Sequence, residues 1–114
     1  MSDCIFCKIV TGEIPSVKVH DDDKVIGFRD LRPQAEKHFL FIHRKHTKDI
    51  SDMMTHDPDQ IKDIFRAINH FAKLEGLDKN GFRVVTNQGA YAGQTVFHTH
   101  LHLLGGEPLG HFGS

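Results

Sequence analysis

The stretch His98-Thr99-His100-Leu101-His102-Leu103-Leu104 constrains this chain more than any other. Its three histidines stand at alternate positions and share a parity with Val96 and Leu104, while Phe97, Thr99, Leu101 and Leu103 share the other. Successive side chains of a strand point to opposite faces, so a strand projects all three imidazoles from one face, about 7 Å apart at two rises of ~3.3 Å. On a helix, alternate positions lie about 200° apart and the rings diverge. A strand is therefore predicted, its mainly apolar second face turned to the core. Convergent imidazoles can bind a metal through neutral nitrogens. They can also attack phosphorus or carbonyl carbon with one ring while its neighbours position charge and move protons. A solvated His-rich strand is the bland alternative. Gly89 and Gly93 just upstream weigh against it, because glycine lets backbone approach a ligand closely.

The remaining punctuation fits one compact domain over residues 1–114, with a glycine-rich tail at 105–114. A first helix is predicted over 4–11, with Asp3 as N-cap, Ile5, Phe6 and Ile9 as its apolar face and Gly12 as its stop. Residues 17–20 and 25–30 read as strands joined by an acidic turn at 21–24, and 38–43 as a third, central strand. Residues 49–54 suggest one helical turn. Residues 59–74 carry Ile61, Ile64, Phe65, Ile68, Phe71 and Ala72 at helical spacing, with Asp57 or Asp59 as cap, Pro58 in the first turn and Gly76 as the end. Asn80-Gly81 turns into a fourth strand at 82–87; a short loop then leads to the triad strand, the fifth. The tail shows no periodicity and is expected to be mobile or held by a partner subunit.

Charge excludes some functions. Acids and bases nearly cancel, at net −1, so no basic field advertises nucleic acid. No long apolar run predicts a membrane span. Residues 1–10, with Asp3, lack the layout of a signal peptide, so a cytoplasmic location is expected. Cys4 and Cys7 are spaced C-x-x-C. In a reducing compartment that spacing points to metal or redox chemistry before a structural disulfide, but a zinc site needs two more ligands.

The run Asn87-Gln88-Gly89, then Gly93-Gln94-Thr95-Val96-Phe97 and the triad through Gly106, resembles the histidine triad (HIT) family, and within it the Hint-type nucleoside phosphoramidases. Similar counterparts exist for Ile5-Phe6-Cys7-Lys8-Ile9, Gly12-Glu13-Ile14-Pro15, Phe28-Arg29-Asp30-Leu31-Arg32-Pro33-Gln34-Ala35 and His38-Phe39-Leu40, so the resemblance spans nearly the whole chain. Thr99 departs from it, standing where the family has an aliphatic residue.

The resemblance implies an α+β fold, with a five-stranded, mainly antiparallel sheet, one long helix and a short N-terminal helix, assembled as a homodimer. It implies a hydrolase that cleaves the P–N bond of purine nucleoside phosphoramidates through a nucleotidyl-histidine. His100 is then the nucleophile and His102 the phosphate contact, with His38 joining His98 in a proton network. Asn87, Gly93, Gln94 and Thr95 surround the phosphate and leaving group, while Ile5, Phe6, Ile9, Phe28, Asp30 and Leu31 enclose the nucleoside, Asp30 accepting from the ribose hydroxyls. Read without the family, Ile5, Phe6 and Ile9 are core packing and Asp30 is a loop cap. Some family members hold structural zinc; the corresponding ligands are Cys4, Cys7, His46 and His98, and the chemistry itself needs no cofactor. Two other readings stay open: a dinucleoside polyphosphate hydrolase or nucleotidyl transferase, and a zinc-containing module that binds nucleotides without useful turnover.

Overall fold

The computed structural model describes residues 4–111. In chain order the elements are α1 (Ile5–Thr11), β1 (Lys18–Asp21), β2 (Val25–Arg29), β3 (Lys37–His43), α2 (Ile50–His56), α3 (Asp59–Leu74), α4 (Leu77–Asn80), β4 (Phe82–Val85), a 3-10 turn (Ala90–Ala92) and β5 (His100–Gly105). The strands form one sheet in the order β1-β2-β3-β5-β4, every neighbouring pair antiparallel. This is the expected α+β architecture. No helix of the described residues is long and apolar enough to cross a membrane.

Strand alternation divides the sheet into two chemically different faces. Phe39, Phe41, Leu101, Leu103 and Val25 face α3, packing with its Ile64, Ala67, Ile68, Phe71 and Ala72 and with Met53 and Leu77. On the opposite face Ile26, Phe28, Leu40 and Ile42 pack against Phe6 and Ile9 of α1. Ile42 pairs with His100, Leu40 with His102 and His38 with Leu104. The catalytic-looking histidines therefore stand on the α1 face, beside its smaller apolar cluster. Full burial of each large side chain stabilises the fold by about 1.5–3 kcal/mol.

Several expectations need correction. β5 begins at His100, so His98 precedes the strand in a bend. Helix α1 begins at Ile5, and its cap is Cys4, whose sulfur accepts the Cys7 N–H; Asp3 lies outside the described residues. Neither Asp57 nor Asp59 caps α3 with its side chain: Pro58 is the cap residue and Asp59 is the first helical one. Asn80 belongs to the one-turn helix α4 between Gly76 and Gly81, and β4 stops at Val85 rather than at residue 87. The tail is held by its own chain as far as it is described: Gly105 ends β5, the Glu36 N–H donates to Glu107 and Arg83 donates to the Gly110 carbonyl.

Candidate active site

Four hydrogen bonds set the proton positions on the triad. Nδ1 of His100 lies 2.7 Å from the carbonyl of His98, so Nδ1 carries the proton and Nε2 keeps its lone pair. Nε2 of His98 lies 3.0 Å from the carbonyl of His43, so its lone pair is on Nδ1. The Gln34 N–H donates to Nδ1 of His38 at 2.9 Å, which leaves Nε2 of His38 to donate to Nδ1 of His102, also 2.9 Å away. His102 consequently presents an N–H at Nε2. One nucleophilic nitrogen and one donor thus stand side by side, their rings 5.2 Å apart.

Burial keeps these rings neutral. It pushes His98 down to about 4, helped by the charges of His46, His100 and His43 and opposed by the bond to the His43 carbonyl. It pushes His102 down to about 4 as well, with His100 and His38 adding to the effect and Asp30 opposing it. His100 and His38 are lowered by the same burial, in each case against the Asp30 carboxylate. A neutral imidazole is the form that attacks phosphorus.

The expected proton network is repartnered. His38 bonds His102, not His98, and Asp30 lies 3.4 Å from Nε2 of His38. Asp30 also accepts the Arg32 N–H at 2.8 Å, so the loop-capping reading of this residue holds alongside its place in the site. Phe6 stands edge-on to His100 at 5.1 Å and to Phe28 at 5.5 Å, joining α1 to the middle ring of the triad. Ile9 is buried with it; Ile5 and Leu31 are exposed. A cavity of 280 Å³ opens beside His38 and His102, lined also by Gln34, Arg83 and Asn87.

The residues expected to surround the phosphate lie in the loop before β5. Gly93 has φ +82°, a conformation that costs glycine little and other residues more. Among the described residues the side chains of Asn87 and Thr95 make no hydrogen bond, which leaves them available to a ligand. Gln94 differs from its expected role. Its amide is buried and spent, accepting from Gly89 N–H and donating to the carbonyls of Lys48 and Val96. It holds the loop rather than facing the pocket.

Cys4, Cys7, His46 and His98 form a second cluster, their donor atoms all within 4.8 Å of one another. His98 Nδ1 lies 3.4 Å from Cys4 Sγ, 3.5 Å from Cys7 Sγ and 3.2 Å from His46 Nδ1; Cys7 Sγ lies 3.3 Å from His46 Nδ1. Tetrahedral zinc, with bonds of about 2.0–2.3 Å, needs donor–donor edges of about 3.3–3.8 Å, so the four residues fit such an ion. Burial first, then the neighbouring Cys4 thiol, pushes Cys7 up to about 11; a bound dication reverses that cost by stabilising thiolate.

Sequence reasoning missed what brings His46 to His98. Thr99 N–H donates to the Thr47 carbonyl at 2.8 Å, and the two buried hydroxyls meet at 2.6 Å. Pairing 47 with 99 sets the preceding residues, 46 and 98, side by side. The departure at Thr99 was the available signal: a polar residue in an apolar position needs a buried partner.

A family model described as the HIT domain matches residues 11–109. The purine nucleoside phosphoramidase of Escherichia coli K12 is 39% identical over 106 residues, covering 93% of this chain and 89% of that protein. A histidine triad protein from Clostridium difficile superposes with TM-score 0.94 at 45% identity, covering 98% of this chain and 97% of that one. A HIT family hydrolase from Legionella pneumophila superposes with TM-score 0.93 at 41% identity, covering 98% of this chain and all (100%) of the other.

Proposed function

Because this chain belongs to the HIT family of hydrolases, we propose that it hydrolyses the P–N bond of purine nucleoside 5′-phosphoramidates. The observation that carries this reading is the 2.7 Å bond from His100 Nδ1 to the His98 carbonyl, which leaves Nε2 as the free nucleophile. The likeness to the Escherichia coli phosphoramidase supports the substrate class.

In the proposed reaction His100 Nε2 attacks the α-phosphorus. The P–N bond to the amine breaks, the amine nitrogen takes a proton from solvent as it departs, and a nucleotidyl-histidine remains. Water then attacks the same phosphorus and releases a proton to solvent, the bond to His100 breaks, and nucleoside monophosphate leaves. His102 donates from Nε2 to a phosphoryl oxygen as charge builds there, in the tautomer held by His38. Asp30, beside His38, stabilises positive charge on that pair. Asn87, Thr95 and the Gly93 backbone supply further donors, and Phe6, Ile9 and Phe28 receive the base, with Ile5 and Leu31 at the rim.

Cys4, Cys7, His46 and His98 are proposed to hold structural zinc, which when bound clamps α1 to the start of β5. His98 is then a ligand and takes no part in proton transfer. The proposed assembly is a homodimer, for which the β4 edge with its exposed Phe82 offers a surface for strand pairing.

The test is mass spectrometry of protein quenched during turnover of adenosine 5′-phosphoramidate, run beside His100→Ala. An adenylyl adduct on His100, absent from a variant that still binds nucleotide, is expected. Release of AMP by the variant at the wild-type rate would overturn the assignment. Nucleotide binding with no adduct and no AMP from the wild type would point instead to a binding module.

A further inference from the structure

The Cys pair does something in this fold that a purely structural zinc site does not require. Cys4 is the N-cap of α1 and Cys7 is the third helical residue, with the Cys7 N–H donating to Cys4 Sγ at 3.3 Å. Residues three apart at a helix start face the same side, and a disulfide needs Cα atoms only about 4.4–6.8 Å apart. The two sulfurs already belong to one cluster of atoms within 4.8 Å, so closing an S–S bond needs a local side-chain movement and leaves the helix intact.

Zinc and disulfide compete for the same sulfurs. A disulfide offers no thiolate, so oxidation leaves only His46 and His98 as donors, too few for a closed tetrahedral site. The sulfurs are also within reach of solvent. Both cysteines are only partly buried. Cys4 lines a 360 Å³ cleft with Ile5, Thr95, Val96 and Phe97, so one opening serves both the sulfur and the proposed substrate loop.

Loss of the clamp matters because of what else holds α1. Among the described residues no backbone hydrogen bond joins α1 to the sheet; those of its ends run within 4–14. Its remaining anchors are Phe6 and Ile9, with half-buried Val10, in the smaller apolar cluster. Phe6 is the residue that stands against His100 and Phe28.

We propose that Cys4 and Cys7 are a reversible disulfide-forming pair, and that their oxidation by a peroxide expels zinc, loosens α1 and takes Phe6 away from the nucleophile. The thiolate of Cys4 attacks the O–O bond of hydrogen peroxide, giving a sulfenic acid and hydroxide. Cys7 thiolate attacks that sulfur, the S–O bond breaks, and a second hydroxide leaves. Two protons turn the hydroxides into water. In sum, two thiolates, one peroxide and two protons give one disulfide and two waters, and one Zn²⁺ is set free. A dithiol reductant and zinc reverse it.

This inference rests on the zinc reading above, and its test separates the two. The protein is loaded with zinc, desalted, and its metal content measured; failure to retain zinc defeats the metal reading before any oxidant is added, and this inference with it. Hydrogen peroxide is then titrated against a zinc indicator, with peptide mass mapping and hydrogen exchange over residues 5–11. Expected are one zinc released per Cys4–Cys7 disulfide, peptides lighter by two hydrogens and faster exchange in α1. Phosphoramidate turnover falls roughly tenfold or more, as for other ångström-scale losses of positioning; all return on reduction with zinc. Zinc retained under peroxide, or released with sulfinic acids in place of the disulfide, overturns the switch. So does a disulfide that leaves both turnover and exchange unchanged. A reduced, zinc-loaded protein with no turnover defeats the phosphoramidase reading, while zinc release and exchange still decide the switch. The double variant Cys4→Ser, Cys7→Ser is expected to hold no zinc and to be insensitive to peroxide.

Discussion

His38 and His102 sit diagonally across β3 and β5, and a single proton on Nε2 of His38 joins them over 2.9 Å. The Gln34 N–H occupies the far nitrogen of His38, so this bond can run in only one direction. His38 thereby decides which nitrogen of His102 faces the substrate. His38→Phe removes that constraint and leaves the Gln34 N–H without its acceptor. The expected outcome is a kcat/KM lower by roughly tenfold to hundredfold, below the 10²–10⁴ of a direct general acid or base. A buried donor left unpaired also costs about 1–3 kcal/mol of stability. Steady-state kinetics together with chemical denaturation check both; unchanged kinetics in a folded variant would remove His38 from the site.

Neutral histidines make the fold sensitive to acid. His98 titrates near 6.5 when unfolded and about 4 when folded, because burial disfavours its cation. As pH falls, the unfolded chain binds the proton first, so stability is complete above 6.5, declines toward 4 and levels off below that. At 1.36 kcal/mol per unit, His98 alone accounts for about 3 kcal/mol at most. His102, also at about 4, adds in the same direction. The proposed zinc, if bound to His98, would reinforce the trend, since it needs the neutral ring. Denaturation midpoints at pH 7, 5.5 and 4.5 are expected to fall in that order, and to fall less steeply in His102→Gln. A midpoint constant across that range would contradict the burial argument.

The two faces of the sheet make a different prediction for Gly27. It pairs with Phe41 across β2 and β3, and a Cβ built there lies 2.6 Å from the Phe41 ring. Phe41 is fully buried, its ring tilted against that of Phe71 at 5.8 Å, so the ring has nowhere to go. Gly27→Ala is expected to cost about 1–3 kcal/mol through overpacking, lowering Tm by several degrees. Gly27 faces α3, whereas the triad faces α1, so kcat measured well below Tm should stay near wild type. A Tm unchanged in this variant would mean that the core repacks freely.

What could be read from the sequence was local. The apolar spacing of 59–74 specifies α3 to the residue, and alternation over 98–104 finds β5 but starts it at His98 instead of His100, because each pattern reports its own periodicity. What could not be read depends on residues far apart in the chain. His98 leaves the strand because residue 99 is bonded to Thr47, and His38 takes His102 as partner because of the β3–β5 register. Gln94 looks like a site residue by its neighbours, yet its amide is consumed by Gly89, Lys48 and Val96. α4 escaped notice because a single turn between two glycines carries no period.

Asp30 offers the sharpest test of the nucleoside pocket, because its two oxygens have separable duties. Oδ1 accepts the Arg32 N–H at 2.8 Å, and Oδ2 faces His38 at 3.4 Å. In Asp30→Asn the amide oxygen can still cap the loop, so the backbone is expected to keep its place, while the charge and one acceptor are lost. If the carboxylate accepts from the ribose hydroxyls, the variant raises KM for an adenosine phosphoramidate by roughly tenfold, the effect of a charged hydrogen bond of about 1.5 kcal/mol or more. The same substitution should cost little with a 2′,3′-dideoxy substrate, which has no hydroxyl to offer. Comparing two enzymes on two substrates isolates that contact from any loss of charge beside His38, which would lower kcat for both substrates alike. Equal effects on the two substrates would leave Asp30 as a loop cap that tunes the His38–His102 pair, and the ribose would need another acceptor.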